Sequence, residues 1–210
     1  GLGWLQFLQR FGLGGCLADD MGLGKTIQVL ALLDARHTGR RDDSQPDPRV
    51  SLAVVPRSLV FHWREEAARF TPGLRILEHF GAGRRHPGEH FRDYDLVITT
   101  YGTLARDALH FKNLRFDYCI LDEAQAIKNA GTLSAKAARL IHADHRLALS
   151  GTPVQNHLGE LWSLFEFLNP GMLGGATVFG AVGRNPDATT REILARALRP
   201  VILRRTKGQV

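Results

Sequence analysis

The chain has 210 residues, 44% hydrophobic and 23% charged, with a formal net charge of +6. That length suits one domain with a full core. The balance is that of an ordinary water-soluble protein, and no apolar run is long enough to span a bilayer, so no membrane association is expected. The chain begins at Gly1 without a methionine, shows no secretory pattern, and reads as a piece of a longer protein. A pI near 9.8 favours a polyanionic partner, a weak indication by itself because many basic proteins never touch nucleic acid. Cys16 and Cys119 each lie in an apolar run and read as buried small hydrophobes in a reducing compartment. The nine histidines have no metal-ligand spacing, so no zinc site is expected.

In chain order, short apolar runs predict strands at 15–19, 51–55, 75–80, 95–100, 117–122 and 146–150. Most are apolar on both faces, as in a parallel sheet covered by helices. Helical patterns fall between them, at 25–36, 58–70, 102–109, 133–142 and 157–168. Strand alternating with helix is the signature of a doubly wound α/β domain. Residues 37–49 and 81–90 read as polar loops. After Pro170 the chain becomes glycine-rich and irregular, then helical at 189–198, and closes on an apolar run with basic flanks.

In such a sheet, ligands bind at the carboxyl edge of the strands, and three strand ends carry distinctive residues. The first leads into "DDMGLGKT", Asp19, Asp20, Met21, Gly22, Leu23, Gly24, Lys25 and Thr26, followed directly by a helix. The glycines allow a tight turn whose N–H groups face phosphates, Lys25 reaches the outer phosphates, and the Thr26 hydroxyl suits Mg²⁺. The bland alternative is a glycine-rich turn with a chance Lys-Thr. Two acids opening a loop for a polyanion are unexpected. The fifth run ends in Asp122 and Glu123. One suits a magnesium-bound water and the other a base for the attacking water, although acids are also common at helix starts. The sixth ends "SGTPVQN", with Gly151 and Thr152, a polar strand end or an ordinary turn.

Taken together and in this order, these strand ends resemble the Swi/Snf family of helicase-like, DNA-dependent ATPases within helicase superfamily two. The likeness covers nearly the whole chain: "DDMGLGKTIQ" (19–28), "VVPRSLVFHWREE" (54–66), "VITTYGTL" (97–104), "LDEAQAIKN" (121–129), "LALSGTPVQNHLGELWSLFEFLNP" (147–170) and "LRRTK" (203–207). The resemblance implies a RecA-like, mostly parallel sheet with helices on both faces, in which strand 146–150 lies between 15–19 and 117–122. It implies an ATP-binding lobe at 1–170 and an extension, 171–210, leading to a second RecA-like lobe. ATP and Mg²⁺ are the expected cofactors, with the metal held by Thr26 and Asp122 largely through water. In this family the loop begins with an acidic pair, so Asp19 is no defect.

The resemblance also assigns contacts to the backbone of double-stranded DNA to Pro56, Arg57 and Ser58, to Thr100, Tyr101 and Gly102, and to Lys128 and Asn129. Capping or turn chemistry is the plain alternative for each, and core packing is favoured for Trp63 and for the helix 158–168. Gln125 stands where many relatives carry His, which puts coupling to Gly151 and Thr152 in question but leaves the acidic pair intact. The family's adenine-reading segment is expected upstream of Gly1, and arginines from the second lobe are needed for catalysis. The segment 171–190 looks short for the family. The rival readings are a strand-separating helicase, a nucleotide-dead DNA-binding scaffold, and a phosphate-loop kinase or GTPase. The expected location is cytoplasmic, on the nucleoid in a bacterium or nuclear in a eukaryote.

Overall fold

Seven strands form one sheet in the order β3-β4-β2-β5-β6-β1-β7, every neighbouring pair parallel. The computed structural model describes residues 1–42, 50–151, 158–175 and 188–209. The strands are β1 (Gly15–Leu17), β2 (Ser51–Val55), β3 (Ile76–His79), β4 (Leu96–Thr100), β5 (Arg115–Leu121), β6 (His142–Leu149) and β7 (Ile202–Leu203). β2 and β4 are buried at every position, which is why their sequences are apolar without alternation. The insertion expected between the first and fifth strands is present. Cys16 lies opposite Ala148 of β6, and Leu121 of β5 lies opposite the same residue.

The helices are α1 (Leu2–Phe11), α2 (Lys25–Asp42), α3 (Val60–Phe70), α4 (Tyr101–Arg106), α5 (Ala108–Phe111), α6 (Leu133–Leu140), α7 (Leu158–Leu168) and α8 (Ala188–Leu198). Strand order decides which face each one covers. From β1 to β2 to β3 the chain moves toward one edge of the sheet, and from β3 onward it moves back toward the other. Parallel crossovers are right-handed, so the two directions of travel lie on opposite faces. α2 and α3 pack together on one face, and α4, α5, α6 and α7 pack as a group on the other.

Several elements depart from the expectation. α1 arises in a segment with no side-chain N-cap, buries only Leu5 and Leu8, and ends at Gly12 in the left-handed conformation (φ 63°). Its Trp4 indole N–H donates to the Pro200 carbonyl at 2.8 Å, tying it to the chain's last segment. β7 adds an edge strand beside β1 from a run of only two residues. The helix expected over 102–109 is two helices broken at the buried Asp107, whose carboxylate accepts Arg84 Nε and Nη2 at 2.7 and 2.8 Å. β6 begins four residues early, because its polar first half still pairs with Arg115–Cys119 of β5.

α7, from the "ELWSL…FLNP" stretch, straps the sheet. Ser163 Oγ donates to the Ile127 carbonyl at 2.6 Å. Asn169 holds Gly14 at both ends of its side-chain amide, at 2.8 and 2.9 Å. Arg146 on β6 donates to the Phe167 carbonyl at 2.6 Å. The helix therefore fixes the segment after β5 and the approach to β1 together.

Cys16 and Cys119 are free and buried on β1 and β5, with β6 between them. Burial pushes each thiol up to about 12. A thiol-reactive dye in mildly alkaline buffer is expected to leave both unlabelled in the folded protein and to label both after denaturation. Rapid labelling of the native protein would contradict this packing.

Candidate active site

The crevice follows from the topology. β1 hands its chain to α2 on one face, and its neighbour β6 lies among the strands whose chain travels on the other face. At such a reversal the strand-end loops part and leave a cleft at the carboxyl edge. The ends of β1, β6 and β5, neighbours in that order, bring Asp19–Thr26, Ser150–Gly151 and Asp122–Glu123 side by side.

The first loop turns through Gly22 (φ 89°) and Gly24 (φ 70°), left-handed conformations that a side chain would strain. α2 starts at once. Its first intrahelical bond is Gln28 N–H to the Gly24 carbonyl at 3.1 Å, so the amides of Lys25, Thr26 and Ile27 precede the helical ladder and suit an anion. Lys25 Nζ donates to the carbonyls of Asp19 (2.8 Å) and Asp20 (3.3 Å), which holds the ammonium over the loop. Leu23 and Thr26 are half-buried. Met21 is exposed and reaches toward Gly151, where an added Cβ would lie 4.0 Å from its Cε.

The acids that open the loop have a partner from the far end of the chain. Asp19 is fully buried, and its carboxylate accepts Arg205 N–H at 2.9 Å and Nε at 3.2 Å, with Nη2 in closer contact. Arg205 Nη2 also donates to Gln28 Oε1 at 2.9 Å. Around this pair the backbones run together: Ala18 N–H to the Leu203 carbonyl at 2.7 Å, Asp20 N–H to the Arg205 carbonyl at 3.0 Å, and Lys207 N–H to Asp20 Oδ2 at 3.2 Å. The "LRRTK" segment thus gives Asp19 its countercharge and Asp20 a backbone donor. The bond to Asp19 holds the Arg205 guanidinium above its ordinary pKa.

Asp122 is bonded at every polar atom. Oδ2 accepts the Trp63 indole N–H at 2.8 Å, Oδ1 accepts Glu123 N–H at 2.9 Å, the carbonyl accepts the Tyr101 hydroxyl at 2.7 Å, and its N–H donates to Val54 at 2.9 Å. Burial raises its carboxyl pKa against the lowering effect of the Trp63 and Glu123 hydrogen bonds; the Glu123 charge raises it further and Lys25 lowers it. Glu123 has φ 49° and ψ 55°, the only left-handed non-glycine among the described residues. Such a conformation costs about 1–3 kcal/mol and clusters at functional sites. Its Oε2 accepts Gln125 Nε2 at 2.6 Å, so Gln125 touches the acid that precedes it by two residues. Thr152 lies outside the described residues. Gly151 is half-buried beside the buried Ser150, whose N–H donates to the Leu17 carbonyl at 3.1 Å.

The other sequence-derived positions lie along the same edge, beyond β5. Pro56 precedes a 3-10 turn, Arg57–Leu59, in which Arg57 and Ser58 are exposed. Thr100 caps α4, its Oγ1 accepting Thr103 N–H at 3.3 Å, as the plainer reading had it. Tyr101 turns inward and Gly102 is exposed. Because β2 and β4 are adjacent, 56–58 and 100–102 lie next to each other. Lys128 and Asn129 are exposed; Lys128 Nζ lies 3.4 Å from Glu160, and Asn129 Oδ1 accepts Gly131 N–H at 3.0 Å. Trp63 is core, as expected, but its bond to Asp122 and the bond of Arg205 to Asp19 were not anticipated. A polar N–H on a buried ring, and an arginine in a segment otherwise without a role, were the only signals. Among the described residues no helix is long and apolar enough to cross a membrane, and no group of His, Cys, Asp or Glu could hold a metal ion by direct ligation alone.

A family model, that of the SNF2-related domain, matches residues 1–210. The chain is 41% identical over 217 residues to a putative ATP-dependent helicase/translocase, YwqA, of Bacillus subtilis, covering 99% of this chain and 23% of that protein. It is 36% identical over 234 residues to the TATA-binding protein-associated factor MOT1 of Saccharomyces cerevisiae, covering 100% of this chain and 12% of that one. The Sulfolobus solfataricus SWI2/SNF2 ATPase core in complex with dsDNA matches with a TM-score of 0.88 at 38% identity, covering 99% of this chain and 43% of that one. The sheet is therefore the RecA-like fold of that core. The chain spans less than a quarter of these two curated relatives and less than half of the solved core.

Arg205→Ala leaves a buried carboxylate without its charge partner. With Arg205 partly exposed, a loss of about 3 kcal/mol of folding stability is expected, the lower end for broken buried pairs. Urea unfolding measures it, and Asp19→Asn in the same chain should recover part of the loss. An unchanged midpoint in Arg205→Ala would show that water replaces the guanidinium without cost.

Proposed function

The chain belongs to the SNF2-related domain family, and from that membership we propose that it is the first, ATP-binding lobe of a double-stranded-DNA-dependent ATPase that moves along DNA. The observation that carries this reading is the convergence, at one reversal of the sheet, of a left-handed glycine loop on an open helix start, a lysine held over that loop, and an acidic pair whose second member, Glu123, is strained. The match to a core solved with dsDNA supports the nucleic-acid part.

The residues fit a nucleoside triphosphate with Mg²⁺. The amides of Lys25 to Ile27 and the Lys25 ammonium suit a polyphosphate. Each Asp122 carboxylate oxygen carries one hydrogen bond and has a lone pair left for water of a hydrated cation, with the Thr26 hydroxyl as the second protein group. When bound, ATP supplies the transferable phosphoryl group and Mg²⁺ the charge that neutralises it. Glu123 takes the proton of the attacking water, and Gln125 orients its carboxylate from 2.6 Å. Gly151 follows the strand between the loop and the acidic box, and to it and Thr152 we assign the sensing of bound nucleotide. Asp19, Asp20, Met21, Gly22, Leu23 and Gly24 shape the turn.

Arg57, Ser58, Gly102, Lys128 and Asn129, with the backbones of Pro56, Thr100 and Tyr101, line half of a track for DNA phosphates. The lobe takes in residues 1–170 together with β7 and Arg205, which the expected boundary at 170 left out and which join its sheet and its glycine loop; a second lobe supplies the other half of the track and the arginines for phosphoryl transfer. The protein works where duplex DNA is.

In the full-length protein, Lys25→Ala is expected to weaken Mg-ATP binding by about 2–3 kcal/mol, roughly a hundredfold, the size of a lost charge-assisted bond. Glu123→Gln should keep binding and abolish turnover; normal turnover would refute its role as base. ATPase activity should rise on adding duplex, and duplex affinity should fall steeply with salt through counterion release. Indifference to both would instead favour a kinase-like or GTPase-like phosphate-loop protein. Release of a labelled strand would identify a strand-separating helicase. Residues 1–210 alone should bind nucleotide weakly and show negligible DNA-stimulated hydrolysis, since half a cleft lacks the charge stabilisation of the other half. Rates equal to those of the two-lobe protein would refute the split site.

A further inference from the structure

Asp122 is held from both faces of the sheet. Trp63 reaches it from α3, which packs with α2 on one face, and Tyr101 from the first residue of α4, on the other. Both side chains are buried, and neither touches bulk water enough to be a surface contact. Their hydrogen bonds act on one peptide unit, that between Asp122 and Glu123. The carbonyl of that unit accepts the Tyr101 hydroxyl at 2.7 Å. Its N–H donates to Asp122 Oδ1 at 2.9 Å, and the other oxygen of that carboxylate is fixed by Trp63 at 2.8 Å. The plane is thus tied at both ends, immediately before the residue with φ 49°. A strained backbone persists only where its surroundings over-determine it. These two side chains supply that constraint.

Each of the two lies next to exposed backbone on the nucleic-acid face. The 3-10 turn Arg57–Leu59 runs without a break into Val60–Phe70, so Trp63 rides on the same rod as Arg57 and Ser58, less than two turns along. Tyr101 sits between Thr100 and Gly102. A shift of either segment therefore moves a hydrogen-bond donor at the acidic box directly.

We propose that Trp63 and Tyr101 are positioning residues that transmit duplex binding, from the 56–58 and 100–102 segments, to the orientation of the Asp122 carboxylate and the strained Glu123. The inference rests on the reading of this lobe as part of a DNA-dependent ATPase. It assigns to a core tryptophan and an inward-turned tyrosine the link between the two halves of that activity. Neither residue touches nucleotide; each acts through Asp122.

The test uses the full-length, two-lobe protein. For wild type, Trp63→Phe and Tyr101→Phe, kcat and KM for Mg-ATP are measured with and without saturating duplex, together with the duplex Kd. The expected result is a fall of about tenfold in the ratio of duplex-stimulated to DNA-free kcat in each variant, the effect of one lost hydrogen bond, with the duplex Kd of Trp63→Phe within about twofold of wild type. Partial unfolding lowers the DNA-free rate at least as much as the duplex-stimulated one, because duplex stabilises the folded state, so it cannot lower the ratio, and a fall in the ratio separates positioning from mere packing. Tyr101→Phe keeps the ring and removes a single oxygen, which preserves the test if Trp63→Phe folds poorly. A wild type stimulated by duplex, with both variants stimulated equally, would overturn this inference alone. A wild type that duplex does not stimulate would overturn it together with the reading it rests on.

Discussion

The meeting of the glycine loop and the acidic pair at one edge depends on β6 lying between β1 and β5. Three parallel strands stopping side by side give three loops at one edge, and a reversal of crossover direction beside β1 leaves the space between them open. Without that insertion the glycine loop and the acidic pair would lie on adjacent strands, with no strand end between them. The polar first half of β6 is tolerated because the strand is needed for its position: Arg146 satisfies the Phe167 and Ile141 carbonyls at 2.6 and 2.8 Å and so anchors α7 as well.

Charge is handled differently at the two acids that matter most. Asp19 is fully buried and meets a full countercharge, Arg205, brought from 186 residues away. Its charge is thereby turned to the β7 side of the loop, and the open helix start of α2 is left to an anion. Asp122 receives neutral donors instead, an indole and a backbone amide. Neutral donors hold a carboxylate in place without cancelling its charge, so it remains available to a cation. Asp19 is neutralised, and Asp122 is only oriented.

A similar division between apolar packing and placed polar groups runs through α7. "ELWSL…FLNP" is largely apolar because α7 packs on the sheet, and its uncharged polar residues, Ser163 and Asn169, are the ones that grip Ile127 and Gly14. One helix thereby fixes the chain leaving the acidic box and the chain entering β1.

Much of this was legible in the sequence, and the reasons are local. A strand buried on both faces has to be apolar throughout, so β2 and β4 announced themselves at their full length. A left-handed turn on a helix start requires glycines at fixed spacing, so Gly22, Gly24, Lys25 and Thr26 could be named in advance. The polar half of β6, the two-residue β7 and the weakly capped α1 could not, since each owes its form to neighbours distant in the chain. The sequence by itself determined which strand ends bear the glycine loop with its lysine and the acidic pair, and that Trp63 is buried. Only the tertiary structure decided that the Trp63 N–H meets Asp122, that Arg205 answers Asp19, and that Glu123 is held in a conformation its own residue type resists. A hydrogen bond or an ion pair depends on where two atoms meet in space, and residues 59 or 186 positions apart carry no local pattern that fixes that meeting.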